Sequence, residues 1–172
     1  MIFLKFSNAV YRINGVRTAR RPGGPDRAAR AATQSHPPTV MERLHQAQNQ
    51  HDLEAFLTCF DPDYQSEQPC HPDRAFGSRD QVRKNWSSIF TTVPDLRSDV
   101  LGSVTQGDRV WTEWHWYGTR VDGTRFAMRG VTIFGIQDDR IRSGRLYMEP
   151  IEEQGAGIDA AVEHLTHATP PE

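Results

Sequence analysis

The stretch VWTEWHWYG, residues 110–118, decides the fold because aromatic and polar side chains alternate along it. It holds three of the four tryptophans of the chain, interleaved with Glu113 and His115. A repeat of two is typical of a β-strand whose two faces differ in chemistry. The same period continues on both sides and predicts four long strands, at about 97–106, 109–120, 125–136 and 141–150.

Helical patterns precede these strands. Thr39, with Glu42 three residues later, predicts a capping box and therefore the start of a helix. Its apolar stripe is interrupted at His51-Asp52 and resumes as far as Phe60, and another helix should begin after Gly77. Helices followed by a meander of antiparallel strands predict an α+β domain with helices on one face of the sheet.

Composition divides the chain and limits its partners. Residues 1–37 are rich in arginine with a single acid, and predict a disordered basic tail; a targeting or nucleic-acid arm, or a stretch upstream of a start near Met41, is the alternative. Residues 38–152 should form the domain, and 153–172 a short helix and tail. The net charge of −2 and the absence of a long apolar run predict neither a nucleic-acid nor a membrane partner.

The number of cysteines suggests a compartment. Cys59 and Cys70 are too few for a disulfide framework, so two free thiols in a cytoplasmic protein are expected, with one disulfide as the alternative.

Two-residue turns at 107–108, 122–123 and 138–139 would fix how the strands pair. Counting outward from them gives one face that mixes rings with acids, and this face carries Val100, Val104, Trp111, Glu113, His115, Tyr117, Phe126, Met128, Thr132, Phe134, Arg145, Tyr147 and Glu149. The opposite face is mostly apolar and carries Leu101, Val110, Thr112, Trp114, Trp116, Ala127, Arg129, Val131, Ile133, Leu146 and Met148.

Either face could lie beneath the helices. If the mixed face does, it encloses a pocket, and the apolar face is free to meet a second subunit. If the apolar face does, it forms an ordinary core and the mixed face meets water. A contiguous cluster of rings is unusual on a solvent-facing surface, which favours the pocket. A β-bulge would exchange the faces beyond it.

Residues 40–152 resemble the nuclear transport factor 2-like superfamily, specifically SnoaL-like polyketide cyclases and ketosteroid-isomerase-like proteins. The resemblance is carried by Asn49 and Asp52 at the helix break, by Phe76-Gly77 before the next helix, and by the last strand, DDRIRSGRLYMEP. It implies a cone-shaped, curved antiparallel sheet wrapped around helices, an α+β barrel with a cavity. It also implies frequent homodimerisation through the outer sheet face.

The resemblance also implies positions for functional groups. An ungapped count places the acid/base carboxylate of the cyclases at Glu149 and the oxyanion aspartate of the isomerases at Thr132. Both are on the mixed face, which supports the pocket assignment. Gln68 stands where the isomerases have their base, and Leu44 where they have a tyrosine, so steroid-type isomerisation through those positions is not expected.

The candidate catalytic residues are Glu149 as acid/base, with Tyr147, His115 and Glu113 polarising or orienting the substrate. The structural alternatives are ion pairs of Glu149 or Glu113 with Arg145, a non-catalytic His115, and Trp86 in the core. The residues expected to contact a ligand are Glu67, His71, Trp111, Tyr117, Met128, Phe134, Arg145 and Trp86. The loop EQPCHPDRAFG has metal-ligand residue types without a recognisable spacing, so no metal is predicted.

These features predict a small-molecule protein that performs proton-transfer chemistry without a cofactor, of the isomerase, cyclase or dehydratase type. Its substrate would be small, organic and partly apolar. A non-catalytic ligand-binding domain and a protein-interaction module are the alternatives.

Overall fold

The computed structural model of this chain describes residues 38–155 and 157–167. The predicted basic tail, residues 1–37, lies outside the described residues, as does the end of the chain from residue 168. No helix in the described part is long and apolar enough to cross a membrane.

Three helices precede the long strands. Helix α1, Val40–Gln50, begins with the predicted capping box, in which Thr39 and Glu42 exchange side-chain and backbone hydrogen bonds. Helix α2, Leu53–Thr58, follows after His51, whose positive φ of 56° ends α1. Helix α3, Arg79–Thr92, begins at the N-cap Ser78, close to the predicted position. A further helix, α4, spans Gly157–His167.

Six strands form one sheet in the order β2-β1-β6-β5-β4-β3. The four predicted strands are confirmed, and the strands span β1 Phe60–Glu67, β2 Phe76–Gly77, β3 Arg97–Gln106, β4 Arg109–Thr119, β5 Arg125–Gln137 and β6 Arg140–Pro150. Strand β1 runs parallel to β6, and the other neighbours are antiparallel. The α+β fold expected from the sequence is therefore confirmed.

The predicted pairing of β4 with β5 is wrong by one residue. Trp116 lies opposite Met128, where the two-residue turn had placed Tyr117. The connection is a three-residue loop, closed by a hydrogen bond from Arg120 N to the carbonyl of Thr124. Gly123 has a φ of +83° in this loop, which glycine adopts without strain.

The other two hairpins turn where predicted, but each contains an irregularity. Asp138 and Asp139 both have positive φ, as a two-residue hairpin turn requires, yet the pairing of β5 with β6 skips Arg142. The pairing of β3 with β4 starts in the predicted register and then skips Leu101. Beyond each irregularity the predicted register is wrong by one residue.

These shifts divide the predicted mixed face between the two sides of the sheet. Its β5 members are on the side that faces the helices, here called the inner face, whose central residues are Thr112, Trp114, Trp116, Met128, Thr132, Phe134, Leu146 and Met148. Its β4 and β6 members are on the outer face, which carries Trp111, Glu113, His115, Tyr117, Arg129, Val131, Ile133, Arg145, Tyr147 and Glu149.

The core lies between the helices and the inner face. Trp114 is 1% exposed, and the ring of Trp116 lies 5.3 Å from that of Trp86 on α3. Trp86 in turn packs at 4.3 Å from Phe56 on α2. Aromatic contacts therefore join the two helices to the centre of the sheet.

Candidate functional site

A cavity of about 410 Å³ lies between the helices and the inner face. Most of its wall is apolar, and the ring-bearing residues that line it are Phe56, Phe60, Tyr64, Phe76, Trp86, Trp114, Trp116 and Phe134. The periodicity of each helix or strand determines which of its side chains line the cavity. Leu44 and Gln48 line it from α1, one helical turn apart, and Trp114 and Trp116 line it from β4, two residues apart. A cavity of this size and character can hold a small organic molecule.

Some polar groups of the cavity wall have a hydrogen-bond partner within the protein, and others do not. Trp114 Nε1 donates a 2.9 Å hydrogen bond to Thr132 Oγ1. Gln48 Nε2 and Trp116 Nε1 are buried donors that find no acceptor among the described residues. A buried donor without an acceptor is costly and uncommon, so these two groups favour a bound partner that carries an acceptor.

The described wall of the cavity carries few ionisable side chains. Burial raises the pKa of the Tyr64 phenol to about 12, so this group stays protonated. Lys84 also lines the cavity, and no Asp, Glu or His is found among its described lining residues. A carboxylate or imidazole that could act as a general base is therefore missing from the described wall.

The four predicted catalytic residues lie on the outer face, so the prediction that they border the cavity is wrong. The side chain of Glu113 is 47% exposed and lies 3.4 Å from Arg129. The side chain of Glu149 is 51% exposed and accepts a hydrogen bond from His71 Nε2 at 2.9 Å. Tyr147 is exposed, and the physical reason in every case is the one-residue error in register.

His115, the fourth of these residues, has its ring 4.9 Å from that of Tyr117, on the same outer face. It lies opposite Arg129, where the prediction had placed Gly130. Neither ring therefore reaches the cavity.

The predicted ligand-contacting residues are divided in the same way. Trp86, Met128 and Phe134 line the cavity, although Trp86 also packs in the core. Trp111 and Tyr117 are on the outer face. Arg145 pairs with Glu67 at 3.0 Å, so the predicted ion pairs of Arg145 with Glu113 or Glu149 are not formed. His71 pairs with Glu149.

Sequence reasoning missed several polar residues of the wall, among them Gln48, Tyr64 and Lys84. Gln48 gave a usable signal, because it is a polar residue on the same helical stripe as Leu44. Tyr64 gave none, because β1 was not predicted.

A second, wider groove of about 640 Å³ lies between the start of α1 and the β3–β4 hairpin. Three of the four ionisable residues in its described wall have structural partners: Glu42 caps α1, Asp139 pairs with Arg43 at 2.9 Å, and His45 Nε2 lies 2.7 Å from the carbonyl oxygen of Ser98, while Asp108 is the fourth. The cavity lined by Trp86 and Trp116 is therefore the better candidate for a ligand site.

Among the described residues, no group of three or more His, Cys, Asp or Glu side chains could hold a metal ion. Cys59 and Cys70 are both free, as expected, the first buried and the second exposed.

Solved structures with this fold support the architecture. IdmH from Streptomyces antibioticus, a candidate polyketide cyclase, matches with a TM-score of 0.56 and 22% identity, over 64% of this chain and 89% of that chain. AclR from Streptomyces galilaeus, a candidate hydroxylase, matches with a TM-score of 0.57 and 19% identity, over 64% and 76%. A ketosteroid-isomerase-like protein from Catenulispora acidiphila, solved with trimethylamine, gives 0.55 and 17%, over 64% and 85%. These likenesses show the fold alone.

A comparison with curated proteins gave no match to the chain. The family model of the SnoaL-like domain matches residues 41–144, more than half of the chain and nearly all of the helices and strands that form the cavity. The chain therefore belongs to the SnoaL-like domain family.

Proposed function

We propose that this protein binds a small, largely apolar organic molecule in the cavity between its helices and the inner face. The carrying observation is the cavity itself, about 410 Å³ with a wall made mostly of aromatic and aliphatic side chains. Ligand sites are usually concave and apolar, with a few polar groups that orient the ligand. Gln48 Nε2 and Trp116 Nε1 are candidates for that orienting role.

Binding without proton transfer agrees better with the geometry than isomerase, cyclase or dehydratase chemistry. Proton transfer requires an acid or base within hydrogen-bond reach of the substrate, directly or through one water. Glu113, His115, Tyr147 and Glu149 all project from the opposite side of the sheet. We therefore favour a ligand-binding domain over an enzyme that uses these residues.

A neutral fluorescent probe, N-phenyl-1-naphthylamine, tests the site. Leu146 lines the cavity and is partly buried, so Leu146→Trp replaces an aliphatic side chain by a bulkier indole ring in the cavity. We expect probe affinity to fall by at least about tenfold, which corresponds to about 1.4 kcal/mol of binding free energy. The matched control is Val121→Trp, which adds the same ring to a loop residue that is 73% exposed.

The proposal predicts normal affinity in Val121→Trp and a folded, weakly binding Leu146→Trp, with folding checked by circular dichroism. Equal affinities in the two variants would place the probe elsewhere and reject the cavity as its site. Native mass spectrometry of the purified protein adds an independent readout, since a retained small molecule should be lost selectively in Leu146→Trp.

We further propose that the protein forms a homodimer through the outer face. Val104, Trp111 and Tyr147 are exposed there, while Glu113 and Arg129 supply both signs of charge. A two-fold interface needs a self-complementary surface, and this combination provides apolar area together with opposite charges. Trp114, which the sequence had suggested for the interface, is buried on the inner face.

Sedimentation equilibrium tests the dimer. Trp111→Glu should shift the protein to monomer, because the new carboxylate would be buried in the interface on the same strand face as the carboxylate of Glu113. Val121→Glu is the control, since it adds the same charge to the exposed loop. A wild-type protein that is monomeric, or a dimer that Trp111→Glu leaves intact, would contradict the proposal that the outer face is the dimer interface. Binding of a different protein would then be the alternative function of this face.

A further inference from the structure

We infer that the ligand is an organic anion whose apolar body fills the cavity and whose charged group lies at the edge of the cavity beside Lys84. This inference rests on the proposed function and adds the chemical class of the molecule that is bound.

Lys84 is the charged residue of the described cavity wall, and it projects from the exposed side of α3. It makes no ion pair within 4.0 Å among residues 38–155 and 157–167, although Asp80 lies one helical turn earlier. The adjacent Arg83, by contrast, binds both carboxylate oxygens of Glu54. Lys84 therefore keeps its full capacity to bind an anion.

Polar residues that line the cavity near Lys84 can donate further hydrogen bonds to an anionic group. Asn85 and Ser88 line the cavity from α3, and Gln68 lines it from the end of β1. Asn85 Oδ1 already accepts a 2.9 Å hydrogen bond from Gln81 Nε2, which leaves its amide N–H groups to donate. Ser88 lies four residues after Lys84, on the same side of the helix.

The side chains deeper in the cavity wall also favour an anionic ligand. Its fully buried side-chain atoms without a hydrogen-bond partner are the donors Gln48 Nε2 and Trp116 Nε1, and no carboxylate is found among the described lining residues to repel an anion. The surrounding rings suit a planar or alicyclic carbon skeleton. Donors and one cation in an apolar cavity match a molecule rich in oxygen acceptors that ends in a carboxylate or a similar anionic group.

Two probes with the same ring system separate charge from shape. N-phenyl-1-naphthylamine is neutral, and 8-anilinonaphthalene-1-sulfonate adds one anionic group to the same rings. Affinities for both are measured by fluorescence in the wild type, in Lys84→Gln and in Arg79→Gln. The last variant removes one positive charge from the same helix at a residue that does not line the cavity.

Lys84→Gln should weaken sulfonate binding about threefold to tenfold, as expected for a partly exposed charge-assisted contact, and should change binding of the neutral probe less than about twofold. Arg79→Gln should change neither. Raising the salt concentration should weaken only the sulfonate complex, since mobile ions screen an exposed charge pair.

The outcomes distinguish the inference from the proposed function. Neutral binding that Leu146→Trp abolishes, together with unchanged sulfonate affinity in Lys84→Gln, would overturn the anionic class and leave the cavity function intact. If neither probe binds, or if Leu146→Trp affects neither, the proposed function fails and this inference fails with it.

Discussion

Replacing Thr132 by valine tests whether the inner face is built as described. Thr132 and Trp114 are each 1% exposed, and the indole Nε1 donates to Thr132 Oγ1 at 2.9 Å. Valine has nearly the shape of threonine, so the substitution creates little empty volume. Its main consequence is a buried indole N–H without an acceptor, which costs about 1–3 kcal/mol of unfolding free energy.

Urea denaturation, combined with a double-mutant cycle, measures this cost. In the Trp114→Phe background no N–H remains to be satisfied, so Thr132→Val should then have little effect, and the coupling energy should be about 1 kcal/mol or more. Thr105→Val, at an exposed residue of β3, is the control and should change stability by less than about 0.5 kcal/mol.

Thermal unfolding should agree, with the midpoint of Thr132→Val lowered by several degrees, about 3–6 °C for each kcal/mol in a domain of this size. A Thr132→Val protein as stable as the wild type, or an equal cost in both backgrounds, would refute the pairing of these two side chains across the inner face.

Three further predictions concern the backbone, a buried phenol and the outer face. Gly130→Ala should strongly destabilise the protein, on the order of 3 kcal/mol or more by urea denaturation, because the new Cβ would lie 1.9 Å from the carbonyl oxygen of Tyr147. The folded protein holds the proton of Tyr64 more tightly than the unfolded chain does, since burial raises its pKa from 10.0 to about 12. Stability should therefore be retained below pH 10 and fall by about 1.4 kcal/mol per pH unit between these values, and Tyr64→Phe should flatten that slope. Glu149→Gln should leave affinity for the neutral naphthylamine within about twofold of the wild type, because Glu149 binds His71 on the outer face; a tenfold loss in fluorescence titration would contradict that placement.

The elements of the fold were predictable because their signals are local. The capping box at Thr39 and Glu42 marked the start of α1, and the period of two marked the four long strands. The Asp-Gly pair at 122–123 marked a turn, as the structure confirms. Each of these signals depends on residues close together in sequence, where capping and backbone preferences act directly.

Local sequence signals did not predict how the strands pair, and therefore did not predict which residues face the cavity. Asp122 Oδ1 accepts hydrogen bonds from both the backbone N and the hydroxyl of Thr124, which stabilises a three-residue loop where a two-residue turn was expected. The sequence analysis placed no bulge at Leu101 or Arg142, the two residues that the observed pairing skips. Because side chains alternate between faces, each one-residue shift moves a whole strand's predicted site residues to the other side of the sheet.

This alternation explains why Met128 and Phe134 reached the cavity while Glu113 and Glu149 did not. The resemblance to SnoaL-like proteins identified the fold, but counting outward from the hairpin turns could not account for the residue skipped in β6. Polar residues on otherwise buried stripes, such as Gln48 on α1, were the better guide to the wall of the cavity.

Methyl NMR tests the central claim most directly, because the chain has only four methionines, Met1, Met41, Met128 and Met148. Met128 and Met148 line the cavity, whereas Met41 lines the second groove beside α1. With carbon-13-labelled methionine methyl groups, N-phenyl-1-naphthylamine should shift the signals of Met128 and Met148 and leave that of Met41 unchanged. Shifts confined to Met41, or a bound probe that moves neither Met128 nor Met148, would contradict a ligand site on the inner face of the sheet.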